Sequence, residues 1–300
     1  EHYNIAFNAN VVVTKEDVRV GDYYFRTIDG ENNMIAYVGN DADIELPADY
    51  MGESYAIGYK AFASYYWLEN VKISCGVTSI GDRAFYNCTS LTSITIPDSV
   101  TSIGEDAFCN CTSLTSITIL DSVTSIGEHA FAYCSLFTSI TIPDSVTSIG
   151  GGAFYGCESL TIVTIGSGVT SIGEGAFSNC SSLTSINIPD SVTSIGDGAF
   201  YYCTSLTSVH ITDIEAWCNI SFYNYDSNPC YYGADIYLNG EKLTELVIPD
   251  TVTAIKDCAF LGCTSLTSIT IPNSVTRIDG FAFFGAVYAG WTAELMGDNY

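Results

Sequence analysis

The chain has 300 residues, enough for one or two domains with a sizeable core. Hydrophobic residues make up 47% and charged residues 14%, which is too apolar for a disordered chain. Asp and Glu number 34 against 9 Lys and Arg, a net charge of −25, so a nucleic-acid partner is excluded on electrostatic grounds. No long uncharged apolar run occurs, so no membrane insertion is expected. The chain begins at Glu1 without Met and is read as a processed product. Its acidity is read first as a solubilising surface and second as a face for cations or basic partners.

Residues 1–67 are read as an N-terminal cap. Two β-rich runs flank Asp-Gly-Glu-Asn at 23–39, the pattern of a hairpin. A degenerate repeat follows at 44–62, with Ile44, Leu46 and Pro47 in the places that Ile94, Ile96 and Pro97 hold further on.

From 68 to 286 the chain repeats itself. An Ala-Phe pair recurs with its phenylalanine at Phe62, Phe85, Phe108, Phe131, Phe154, Phe177 and Phe200, then at Phe260 and Phe283, and the regular spacing is 23. Within one unit, Ile94 and Ile96 alternate with Ser93 and Thr95, the period of a half-buried strand. Pro97 has no N–H to donate and ends it. Val100 and Ile103 form a second short extended segment, Gly104 breaks it, and Ala107, Phe108 and Cys111 close the coil with a short helical or 3₁₀ turn. One such coil cannot bury its own apolar face, but a stack of coils can.

One repeat is long. Residues 206–242 span 37 positions and are rich in aromatics. Asp213 is placed to cap a short helix over 213–219, and Asn239-Gly240 to turn a hairpin. Trp217, Tyr223, Tyr225, Tyr231 and Tyr232, with His210 and Glu245 on the neighbouring sheet, form the candidate ligand-binding set, weighed against the plainer reading of a tolerated bulge. Residues 287–300 are read as a C-terminal cap.

The 12 cysteines divide by position. Cys88, Cys111, Cys134, Cys157, Cys180, Cys203 and Cys263 each lie three after a repeat phenylalanine and are expected to stack as buried free thiols. Cys218 and Cys230 share the long repeat and are expected to form a disulfide if the protein is exported. Cys109 is read as exposed. Asn87, Asn110, Asn179 and Asn219 sit in glycosylation sequons, which are read as by-products of the repeat.

The pattern L-x-x-I-x-I-P-x-x-V-x-x-I-G-x-x-A-F-x-x-C resembles the BspA-like, or treponemal-type, leucine-rich repeats. The resemblance implies a mostly-β leucine-rich-repeat solenoid, with a parallel concave sheet and short convex β or 3₁₀ turns. It also implies a secreted or cell-surface context and a role in adhesion to proteins or cells.

Catalytic chemistry is not expected. The histidines are His2, His129 and His210, and no nucleophile elbow, phosphate loop or zinc-protease motif occurs. No cofactor is expected. Zinc is not expected without a Cys-x-x-Cys pair. The carboxylates Asp98, Asp121, Asp144, Asp190 and Asp250 recur at one turn position and read as solvated turns rather than a calcium face. The outward Ser/Thr pairs resemble an ice-binding array, but Ile162, His210, Glu245, Asn70 and Lys72 interrupt it. The expectation is therefore a non-enzymatic extracellular module that binds a protein or a cell-surface glycan. The rival reading is a structural protein that self-associates end to end into filaments or a surface layer.

Overall fold

A computed structural model describes residues 12–286. The chain is a mostly-β solenoid of parallel coils, with one α-helix, Ile214–Cys218, and one 3₁₀ turn, Tyr225–Ser227, among the described residues. The expected cap at 287–300 lies outside them.

Each regular coil begins with a head strand. Ser139–Ile142 pairs in parallel with Ile162–Ile165, Ser139 against Ile162 and Ile142 against Ile165. Inward Ile140 and Ile142 are buried, and outward Ser139 and Thr141 are exposed, as the two-residue period demands. The second extended segment is also a ladder. Ser148–Ile149 pairs with Ser171–Ile172, one coil on. The Ala-Phe corner is built from consecutive turns, with Cys109 N–H on the Asp106 carbonyl (3.0 Å) and Cys111 N–H on the Phe108 carbonyl (3.1 Å). The corners also join coil to coil: Phe85 N–H reaches the Ala107 carbonyl and Phe108 N–H reaches the Ala130 carbonyl, both at 2.8 Å.

The core runs down the middle as a column of rings. Phe85, Phe108 and Phe131 stack at 5.3 Å, within 6° of parallel. Every one of them is fully buried. Burial of a side chain this size contributes about 1.5–3 kcal/mol.

The second ladder is the longer sheet. It joins eleven strands, and its far end is the N-terminal hairpin. Tyr23–Ile28 and Glu31–Tyr37 pair around Asp29-Gly30, whose φ angles of 51° and 87° are those of a type I′ turn. Glu31–Tyr37 then pairs in parallel with Tyr55–Ile57. Phe25 stacks on Tyr50 at 4.5 Å, so the hairpin lays its apolar face over the first coil. The degenerate repeat supplies the first head strand, with Ile44 in register with Val71 and Val71 with Ile94.

The head strands do not form one sheet. They divide into a three-stranded set, a six-stranded set and a final pair. The first break falls at residues 114–120, the coil in which Leu120 stands where its neighbours have Pro97 and Pro143. The second falls in the long repeat, which is not one unit. Ser208 pairs with Asp235, so one enlarged coil ends there and Asp235–Leu238 is already the next head strand. A hairpin to Glu241–Lys242 follows, and Glu245–Val247 opens a new pair with Ser268–Thr270. The helix Ile214–Cys218 replaces the usual turn. Asp213 caps it, accepting from Glu215 N–H (2.6 Å) and Ala216 N–H (3.2 Å).

Candidate ligand-binding surfaces

The candidate residues divide among five environments. His210 lies on the outer face of the six-stranded head sheet, between Asn187 and Tyr237 on adjacent strands. Its ring stacks on Tyr237 at 5.1 Å and 28°. On the other side, Asn187 accepts from Ile165 N–H (2.7 Å) and donates to the Ile165 carbonyl (2.8 Å), which locks its amide. Moving along the sheet, one outward row therefore reads Thr141, Thr164, Asn187, His210, Tyr237, from small hydroxyls to stacked rings. A depression of about 840 Å³ runs beside this row, bordered by Asp121, Asp144 and Asp190. Two of these turn carboxylates have partners. Asp144 accepts from Ser167 N–H (2.6 Å), and Asp190 from the Thr212 hydroxyl (2.7 Å). No cluster able to hold a metal ion occurs among the described residues.

Glu245 is not part of this row. It lies on the separate pair of head strands, opposite Ser268. Trp217 is not a surface contact either. It is 1% exposed, and its indole N–H donates to the Ala259 carbonyl at 2.7 Å. The reason is the enlarged coil: the helix turns its inner face onto the core, so the largest side chain there fills the volume between two coils.

Tyr223 is 74% exposed at the edge of the second sheet. Tyr225, Tyr231 and Tyr232 gather elsewhere, on the flank of the solenoid beside the Ala-Phe corners. Tyr225 meets Tyr231 at 5.2 Å, Tyr231 meets Tyr232 at 4.9 Å, and the Tyr232 hydroxyl accepts from Tyr202 N–H at 3.1 Å. Tyr225 and Tyr231, with Tyr155 and Tyr201, border a groove of about 510 Å³ that also presents Glu174, Asp197 and Asp226. Sequence reasoning reaches the tyrosines of the long repeat and misses the residues of the regular coils that complete this groove.

The thiols follow the register. Cys88, Cys111, Cys134, Cys157, Cys180 and Cys203 are buried, and each donates to the carbonyl of the phenylalanine one coil back, at 3.0–3.2 Å. Burial pushes the Cys88 thiol up to about 12 and Cys111 well above its ordinary value. Cys263 does not join this column, because the coil before it is the enlarged one. It lies against Cys230, hydrogen-bonded to it. The expected Cys218–Cys230 disulfide is accordingly not formed: both are free buried thiols, and Cys230 faces the following coil instead. Cys109 is also corrected, since it is 7% exposed.

The sequon asparagines have backbone reasons to be there. Asn87, Asn110 and Asn179 hold left-handed φ angles of 61°, 62° and 61°, a conformation that asparagine tolerates well. Asn110 donates to the Asn87 side chain, and Asn219 to the Glu215 carbonyl (3.0 Å).

The profile of the BspA type leucine-rich repeat region matches residues 55–138, 126–229 and 231–289, and the chain belongs to this family. No functionally curated protein matches it. Among solved structures it is similar to a leucine-rich cell surface protein from Faecalibacterium prausnitzii, 35% identical, covering 89% of this chain and 73% of that one, TM-score 0.61. It is also similar to the Treponema pallidum leucine-rich repeat protein TpLRR, 28% identical, covering 63% of this chain and 90% of that one, TM-score 0.59. A leucine-rich repeat protein from Bacteroides ovatus is 27% identical over 92% of both chains, TM-score 0.53. Repeats of this family make protein-binding modules, and no helix of the described residues is long and apolar enough to cross a membrane.

Proposed function

We propose that the chain is a non-enzymatic adhesion module of a secreted or cell-surface protein, and that it holds a protein or glycan ligand against the head sheet around His210. The observation that carries this reading is the row Thr141–Thr164–Asn187–His210–Tyr237 beside its depression. His210 and Tyr237 point away from the core, so a stacked ring pair there is not needed to fill it. A ring pair at 5.1 Å suits either an aromatic anchor of a protein or the apolar face of a sugar. The name of the Faecalibacterium protein, a cell surface protein, supports the location.

The test is an array of extracellular-matrix proteins and glycans probed with the whole chain and with a His210→Ala/Tyr237→Ala variant. A ligand captured by the parent is expected to be lost by the variant while the melting curve stays put. Retention of every ligand by the variant would move the site away from the head sheet.

A further inference from the structure

The tyrosine groove on the flank is a second surface, separate from the head sheet, and the chain itself contains a template for what fills it. Two residues before the repeat phenylalanines from Phe62 to Phe260, the backbone is left-handed. Lys60, Arg83, Asp106 and His129 hold this place at φ 57°, 57°, 54° and 52°. In the next three coils the same place is Gly152, Gly175 and Gly198, at 58°, 59° and 56°. At Gly152 the His129 ring fills the space a side chain would take, but at Gly175 and Gly198 that space is the groove. A Cβ on Gly175 would come no nearer than 3.8 Å to anything, and one on Gly198 no nearer than 3.6 Å.

Arg83 shows what an occupied place looks like. Its guanidinium donates to Asp106 (3.0 Å), lies 3.6 Å from Glu105, and is hydrogen-bonded to Tyr59. Arg83 N–H bonds the Glu105 carbonyl, as Gly175 N–H bonds the Asp197 carbonyl, so the two places correspond along the backbone. In the groove Asp197 stands where Glu105 does and Gly198 stands in the place of Asp106; Asp226, Tyr225 and Tyr231 of the long repeat supply a carboxylate and rings instead, and the cation is absent. Asp197 accepts from the Asn224 side-chain amide, a neutral donor. An Asp226 carboxylate oxygen is shielded from water with no hydrogen-bond partner. No lysine or arginine occurs between Arg83 and Lys242, and Lys256, which packs on the long repeat, is engaged with the Asn219 carbonyl and the Ser221 hydroxyl.

We propose that the groove floored by Gly175 and Gly198 is a binding site for an arginine-bearing segment of a basic protein partner, whose guanidinium takes the place that Arg83 holds in its own coil. The planar guanidinium stacks on Tyr201, Tyr225 or Tyr231 and donates to Asp197 and Asp226. A neutral ligand would leave the charge of those acids unpaired.

The test uses the whole chain and a fluorescein-labelled Gly/Ser peptide carrying two arginines, with a citrulline copy of the same shape and no charge. The arginine peptide is expected to saturate, and the citrulline copy to bind at least about tenfold more weakly. Gly175→Arg fills the groove from within, at a φ that Arg83 already adopts, and is expected to weaken the arginine peptide about tenfold with the thermal transition retained. Should that variant fail to fold, Asp197→Asn/Asp226→Asn removes the acceptors and is expected to give the same loss. A control, Asp98→Asn/Asp250→Asn, removes the same two charges elsewhere and is expected to leave binding within about twofold. Equal binding of the citrulline copy, equal binding by the groove variants, equal loss in the control, or displacement of the peptide by a neutral oligosaccharide would each overturn the proposal.

Discussion

The regular coils and the junction after the enlarged coil hold the same kind of core by different means. Between regular coils, the head strands, the second ladder and the Ala-Phe corners all bond backbone to backbone, and the phenylalanine rings stack within. At the junction the long second sheet ends at Ser221–Phe222 and the six-stranded head sheet ends at Glu241–Lys242. One backbone bond, from Lys256 N–H to the Cys218 carbonyl (3.2 Å), crosses the gap, and side chains add to it. The Trp217 indole reaches the Ala259 carbonyl, Asn228 reaches the Cys258 carbonyl (2.5 Å), and the Lys256 ammonium reaches the Asn219 carbonyl (2.7 Å). A backbone ladder tolerates almost any residue, so repetition makes the regular coils robust and their surfaces free to vary. A side-chain joint names its residues. Asn228 is fully buried for this reason.

The strongest way to break the comparison is to cut the ring column and the joint separately. Phe131→Ala, in mid-column, is expected to cost about 3–5 kcal/mol in denaturant unfolding, because neighbouring coils are locked in register and close the cavity poorly. Tyr223→Ala, on the outside, is expected to move stability by less than about 0.5 kcal/mol. At the joint, Trp217→Phe keeps most of the ring and removes the N–H. It is expected to cost about 0.5–1.5 kcal/mol, because the Ala259 carbonyl loses its shorter bond and keeps only the one from the Asn228 amide (3.4 Å), with ligand capture unchanged. Loss of capture without loss of stability would return Trp217 to the binding surface.

A smaller effect sharpens the same contrast through the thiols. Regular coils keep Cys88 to Cys203 in one column, each spaced by a full coil, whereas the joint brings Cys230 against Cys263. Brief alkylation of the native reduced chain is expected to label Cys75, the exposed thiol, and spare the buried ones, whose pKa values burial raises. Refolding with oxidised glutathione, a disulfide oxidant, is expected to link Cys230 to Cys263. Non-reducing peptide mapping that found Cys218 joined to Cys230 would contradict the packing at the joint.

How much of this is legible in the sequence depends on whether a residue answers to its own coil or to another. The strands, the ring column, the hairpin at Asp29-Gly30 and the cap Asp213 all follow from local patterns, because the repeat period carries the long-range contact within it. The 37-residue unit misleads because the count hides a complete coil followed by a hairpin, and only the pairing of Ser208 with Asp235 separates them. Trp217 and Tyr225 look alike as aromatics in one loop. Their opposite fates follow from partners the local pattern does not show: Trp217 bonds the Ala259 carbonyl of the next coil, and Tyr225 lies over a groove that the regular coils complete. The groove does leave a signal, the glycines at 175 and 198 where Arg83, Asp106 and His129 stand in earlier coils, but an absent side chain is conspicuous only once the place it vacates has been seen.

The smallest expected effect separates a residue kept for stability from one kept for a ligand. Burial first, and then the neighbouring Asp197, hold the Asp226 carboxyl above its ordinary value of 3.8. A raised carboxyl pKa means that folding favours the protonated form, so the charged form present at neutral pH works against the fold. Any stability this group contributes is present below 3.8 and is lost as the pH rises through its folded value. Asp226→Asn is therefore expected to raise the melting temperature slightly at about pH 7, with the gain shrinking to nothing as the pH falls below 3.8, where both folded and unfolded chains carry the proton. The same substitution is expected to weaken the arginine peptide. Paired melting curves and peptide titrations of parent and variant across that range check both halves. A variant less stable at neutral pH than its parent would make Asp226 a structural residue of the 3₁₀ turn, and the regular coils and the groove would then obey the same rule.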